Sequence, residues 1–127
     1  MIKFSHSLRN EIYFTVILSF VPELMSKIAL LLSGAINEVL LSASVESKVL
    51  KRKGEAIDVP LVLLMSDNES MSIDDGKLVL MLDVDAYELI NNLLEGVLDG
   101  ERVMPEITEL YVKEWKKEKG LALVVEE

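Results

Sequence analysis

The chain has 127 residues, half of them apolar and 28% charged, with a formal net charge of −9 and a mean hydropathy of +0.32. That composition excludes intrinsic disorder and suits one domain, 1–127, with a real core. The lack of cysteine excludes disulfides, thiolate metal sites, iron–sulfur clusters and cysteine nucleophiles, and a lone histidine, His6, excludes a pair of imidazole ligands.

Ile12, Phe14, Val16, Leu18 and Phe20 alternate with Tyr13, Thr15, Ile17 and Ser19, which predicts a strand with one apolar face. Lys3 and Arg9 precede this apolar run, but Glu11 interrupts the basic region and Pro22 and Glu23 follow at once. The run therefore reads as a strand, not a secretory leader. No run reaches the roughly twenty apolar residues of a membrane span. With no cysteine in use, the expectation is a soluble cytoplasmic protein.

Pro22 ends the strand and suits a first helical turn. Leu24, Ile28, Leu31, Leu32, Ala35, Ile36 and Val39 then form a helical stripe, which predicts a helix over Leu24–Leu41. Met25, Ala29 and Leu40 widen it beyond the arc that one core needs. From Ser42 the pattern weakens, and Val45–Lys53 reads as either a helical extension or a strand. A hairpin is preferred, turning at Lys53–Gly54 and returning along Ala56–Met65, bulged or at an edge where Pro60 lacks a donor.

Ser66–Gly76 reads as a polar loop. Leu78, Leu80, Leu82 and Val84 predict another strand, and Asp85 with Glu88 stands at capping-box spacing before a second helix, Ala86–Leu98. Asp99–Gly100 and Pro105 break it. Ile107–Trp115 and Leu121–Val125 follow as two strands. No internal repeat shows. The order β-α-β-β-β-α-β-β predicts an α+β fold, a mainly antiparallel sheet with two helices packed on one face, ferredoxin-like or a related sandwich.

Few residue constellations carry chemistry. Asp83 and Asp85 at the end of an apolar strand are weak metal candidates that could hold Mg²⁺ for phosphotransfer, although a helix cap also explains Asp85. The oxygen-rich loop Asp67, Asn68, Glu69, Asp74, Asp75 lacks EF-hand order. His6 between Ser5 and Ser7 lacks the strand–turn–helix setting of a nucleophile. Lys48, Lys51, Arg52 and Lys53 form a basic cluster. Tyr111, Lys113 and Trp115 share one strand face, where aromatics interleaved with a base could stack single-stranded RNA. The acids around them, and the 16 acids against 6 bases of residues 61–127, argue against nucleic acid and leave basic protein partners open.

The strand Glu11–Phe20 with Pro22–Leu32, and Lys77–Val84 with Asp85–Leu98, resembles in pattern the small dimerising subunit of the KEOPS complex (the CTAG/LAGE-type family). That resemblance implies a non-catalytic subunit docking by its helices in an assembly that installs threonylcarbamoyl on tRNA adenosine. It transfers no site residue. Glu88 and Glu95 stand where basic residues would help hold tRNA, and the C-terminal strands are additional.

Together these features predict a non-catalytic interaction or dimerisation subunit, without cofactor, forming homo- or heterodimers through Leu30, Leu40, Leu41, Leu94 and Leu98. A larger complex and a tRNA-modifying setting follow from the resemblance alone.

Overall fold

The computed structural model describes residues 1–7, 9–101 and 106–127. Its strands are β1 (Ile2–His6), β2 (Glu11–Ile17), β3 (Val39–Val45), β4 (Ile57–Met65), β5 (Ser70–Asp74), β6 (Lys77–Leu82), β7 (Glu106–Val112) and β8 (Lys117–Glu126). The helices are α1 (Val21–Ser33), between β2 and β3, and α2 (Val84–Leu98), between β6 and β7. The strands close into one barrel in the order β1-β2-β8-β7-β5-β6-β4-β3.

This corrects the ferredoxin-like α+β expectation. Three local features account for the difference. Gly34 takes a left-handed conformation, φ 80, and its amide bonds back to Leu30 and Leu31, so α1 stops there. The predicted Leu24–Leu41 helix is thus a helix plus the start of β3. Asp75 and Gly76, both at positive φ, form the two-residue turn that joins Asp74 to Lys77, which makes a strand of part of the expected polar loop. Ile2–His6 is a further strand, paired antiparallel with β2. Antiparallel and parallel ladders alternate around the ring. β1 with β3, β2 with β8, β4 with β6 and β5 with β7 are parallel ladders. The strand–helix pairs behind the KEOPS-type resemblance are present as β2–α1 and β6–α2, but as pieces of a barrel.

The ring has a two-fold pattern that the sequence does not show. Each half of the chain is a hairpin, a helix and a hairpin. Exchanging β1–β4 with β5–β8 reproduces the same cyclic order. The registers agree. Phe4 pairs with Val45 and Phe14, as Met71 pairs with Val112 and Leu80. Phe14 pairs with Leu123, as Leu80 pairs with Leu63. Residues 12–34 thereby match residues 78–100 one for one, although only Leu32/Leu98 and Gly34/Gly100 are identical.

What the halves share is burial. Ile12, Phe14 and Val16 point inward, as do Leu78, Leu80 and Leu82. Val21, Leu24 and Ile28 match Tyr87, Ile90 and Leu94 in the core. Strand alternation fills the interior of an eight-stranded barrel with side chains, and Phe4 and Phe14 stack at its centre with ring centroids 5.0 Å apart. The equivalent residues Met25 and Asn91 meet where the helices cross, Asn91 Nδ2 donating to the Met25 carbonyl at 3.1 Å.

Strand direction fixes what lies where. β2, β4, β6 and β8 run one way and the others return. Both helices therefore sit at one end of the barrel. The four hairpin connections, including a short 3-10 turn at Ser47–Leu50, sit at the other.

Tyr87 is fully buried, and its hydroxyl donates to the Leu64 carbonyl at 2.8 Å. Burial, and secondarily the charge of Glu69, hold its pKa well above the usual 10.0. A phenol held neutral in the fold but free to ionise when unfolded stabilises below pH 10, and that stability is lost as pH rises beyond it. Tyr87→Phe should cost about 1 kcal/mol at neutral pH and should flatten the loss of stability between pH 9 and 11, as read from urea midpoints.

Candidate functional site

The hairpin end gathers an unusual set of polar side chains. On β8, Lys119, Leu121 and Leu123 alternate inward, and on β1 Ile2, Phe4 and His6 do the same. Lys119 and His6 thus occupy core-facing positions at the mouth of the barrel, and Lys119 is only 2% exposed. Its ammonium lies 2.8 Å from His6 Nε2, donates to Asn10 Oδ1, and sits 3.9 Å from the centroid of the Trp115 ring. Trp115 folds over the mouth. Its ring stacks on His6 at 5.0 Å with an interplanar angle of 7°, and its Nε1–H donates to the Val49 carbonyl at 2.9 Å. Lys51 and Lys117 approach the same ring, 5.3 and 5.8 Å from its centroid.

No carboxylate pairs with Lys119. Among the described residues the one ion pair within 4.0 Å joins Lys3 to Glu126, far from this site. Burial first, then the charges of Lys117 and Lys51, lower the Lys119 pKa. Burial and Lys119 lower that of His6, with smaller contributions from Lys117 and Lys48, while Glu46 opposes them. A neutral His6 with its proton on Nδ1 presents Nε2 as the acceptor that Lys119 needs.

The related half of the barrel lacks this set. By register, His6 corresponds to Ile73 and Lys119 to Val59. The scaffold therefore closes with aliphatic side chains there and does not require the polar pair.

Bases gather at one end of the barrel, interleaved there with Glu11, Glu46, Glu55, Asp58, Asp74, Asp75, Glu114 and Glu118. Arg9, four bases in residues 48–53, Lys77 and four in residues 113–119 place ten of the 13 lysines and arginines at the hairpin end. Among the described residues, the helices, their flanks and the β4–β5 connection carry Glu23, Glu38, Asp67, Glu69, Asp83, Asp85, Glu88, Glu95, Asp99 and Glu101 against one base, Lys27. That acidic end is also apolar. Of the ten exposed large apolar side chains among the described residues, Met1, Ile17, Leu30, Leu40, Met65, Val84, Leu89 and Leu98 lie there. A cleft of about 400 Å³ opens between α1, β3 and the first residue, lined by Met1, Phe20, Glu23, Lys27, Leu40, Leu41 and Ser42.

The residues expected at an interface divide accordingly. Leu30, Leu40 and Leu98 are exposed at 44%, 60% and 48%, whereas Leu94 is buried and Leu41 packs half-buried against the core. Asp83, not Asp85, caps α2, its Oδ1 accepting from the Ala86 amide at 2.8 Å. Asp85 lies exposed in the first turn. No group of three or more His, Asp or Glu suited to a metal occurs among the described residues. In the oxygen-rich loop, Glu69 is structural, accepting from Thr108 Oγ1 at 2.7 Å. Tyr111 and Lys113 are exposed, while Trp115 lies in the turn after β7 with its ring already engaged by His6 and Lys119.

Lys119 and Asn10 are absent from the sequence reading. The phase of Lys119 with Leu121 and Leu123 carries the signal, but it is hidden when the strand is begun at Leu121. No protein-family model, curated protein or solved structure matches the chain.

Two measurements check this geometry. Because the fold holds His6 below its usual 6.5, the unfolded chain binds the proton more readily. Stability then falls as pH drops through 6.5. His6→Gln should reduce the difference in urea midpoint between pH 7.5 and 5.5. Asp83→Ala should cost about 1 kcal/mol, and Asp85→Ala clearly less.

Proposed function

We propose that the chain is a non-catalytic docking subunit whose helix-bearing end receives another protein. The observation that carries this reading is the coincidence, at one end of the barrel and among the described residues, of eight exposed apolar side chains and ten acids. Exposed apolar surface gathered in one region marks an interaction site. The acids around it select a partner presenting basic residues about an apolar centre.

The same acids argue against a symmetric homodimer through this end. An isologous contact sets like against like, so it would oppose two acidic rims. A partner of different sequence avoids that repulsion. The closed barrel offers no free strand edge, so recognition falls to side chains such as Leu30 and Leu40 and to the cleft beside α1.

The test compares wild type with Leu30→Ser/Leu40→Ser. Both residues are exposed, so the melting temperature should not change. Each leucine buried on docking contributes roughly 1.5–3 kcal/mol, so the double change should weaken partner binding by at least about 100-fold. Sedimentation at low micromolar concentration should give the 14.2 kDa chain alone. Capture from the native host by the wild type should be salt-sensitive and lost in the variant. A salt-insensitive homodimer overturns the partner assignment, and capture indifferent to Leu30 and Leu40 overturns the docking reading.

A further inference from the structure

We propose that the hairpin end holds a site for a small phosphate-type oxyanion, either inorganic phosphate or a phosphate monoester, bound by the exposed Lys51 and Lys117 beside Trp115, with the charge of the buried Lys119 beneath it. This site is independent of the docking end and stands or falls separately.

The first support is uncompensated charge. Three ammonium groups lie within 5.8 Å of one indole centroid, and among the described residues no carboxylate pairs with any of them. A buried cation without a counter-charge is costly. Asn10, His6 and the Trp115 ring satisfy the Lys119 hydrogens but bring no negative charge. Of the acids, Glu46 raises the His6 pKa, and none bears on that of Lys119.

The second support is the asymmetry of the barrel. Ile73 and Val59 hold the corresponding mouth positions in the other half, so an aliphatic pair closes this architecture. His6 and Lys119 replace hydrophobic closure with a charged one.

The third is backbone strain. Lys51 adopts φ 55 and Asn10 φ 65, the left-handed region. Asparagine tolerates it, but a lysine there costs stability that a glycine would not. Lys51 ends the 3-10 turn in that conformation and thereby brings its ammonium over Trp115. Strain of this kind collects at functional sites.

A dianionic tetrahedral oxyanion has oxygens enough to accept from both Lys51 and Lys117, which a monovalent halide lacks, and its charge also offsets that of Lys119. It would supply the charge that the cluster lacks.

Trp115 is the only tryptophan, so its fluorescence reports this site alone. The experiment titrates the full chain at pH 7 with inorganic phosphate and with glycerol phosphate, against sodium chloride at matched ionic strength. Phosphate should shift the emission saturably, with half-saturation at low millimolar or below. A stronger response to glycerol phosphate assigns the monoester. Lys117→Gln and Lys119→Met should each weaken binding at least tenfold. Lys51→Gly should weaken binding while raising the melting temperature, a combination that a purely structural role would not give.

Emission that follows ionic strength alone overturns the proposal, as does unchanged phosphate affinity in Lys51→Gly and Lys117→Gln. Quenching by a single-stranded oligoribonucleotide without any response to phosphate also overturns it, in favour of a polyanion surface.

Discussion

Two parallel seams hold this molecule together. β2 lies along β8 over seven register pairs from Glu11↔Gly120 to Ile17↔Glu126, and β4 lies along β6 from Leu61↔Leu78 to Met65↔Leu82. Each seam joins one half of the chain to the other. Without them the halves are four-stranded sheets, β2-β1-β3-β4 and β6-β5-β7-β8, each with two open edges and one helix. Parallel pairing of strands far apart in sequence costs loop-closure entropy. That cost is met by the interior, where Phe4, Phe14, Leu63, Leu80, Leu121 and Leu123 are removed from water together. The helices follow as a consequence. They begin at the same end, because β2 and β6 run the same way, and they cover the apolar mouth there.

Much of this is legible in the chain, and the failures have physical causes. β2, β4, β6, α2 and the last two strands follow from periodicity. α1 is legible too, but its end is not, because Leu40 and Leu41 continue the apolar run past Gly34 and strand residues mimic a helical stripe. β1 and β5 are five-residue strands, too short to establish alternation, although the Asp75–Gly76 pair is the hairpin signal that betrays β5. The two-fold pattern is invisible because the halves share the inward phase of side chains and not their identity. Tyr87 fills the place of Val21, and Lys119 that of Val59. Closure itself is a long-range property, and neither seam leaves any trace in local pattern.

The interface residues show the same limit. Leu30 and Leu40 are exposed because α1 has only one core-facing stripe and β3 only one inward face. Leu94 lies on the equivalent stripe of α2 and is buried. A helical wheel cannot separate these cases, since it does not say which arc the barrel covers. Lys119 is the opposite case. It lies in phase with Leu121 and Leu123, so its depth is written in the alternation of β8, but its partners His6, Asn10 and Trp115 come from distant hairpins.

The seam arrangement also bears on how such a chain can be cut. The β4–β5 connection, Ser66–Glu69, is where one half passes to the other. A break there would sever no ladder, and each fragment would keep its own helix and all but the two seam ladders. The exposed edges of one fragment match those of the other in direction. A chain divided at that point is therefore a natural two-component system whose pieces have cause to find each other and little cause to persist alone.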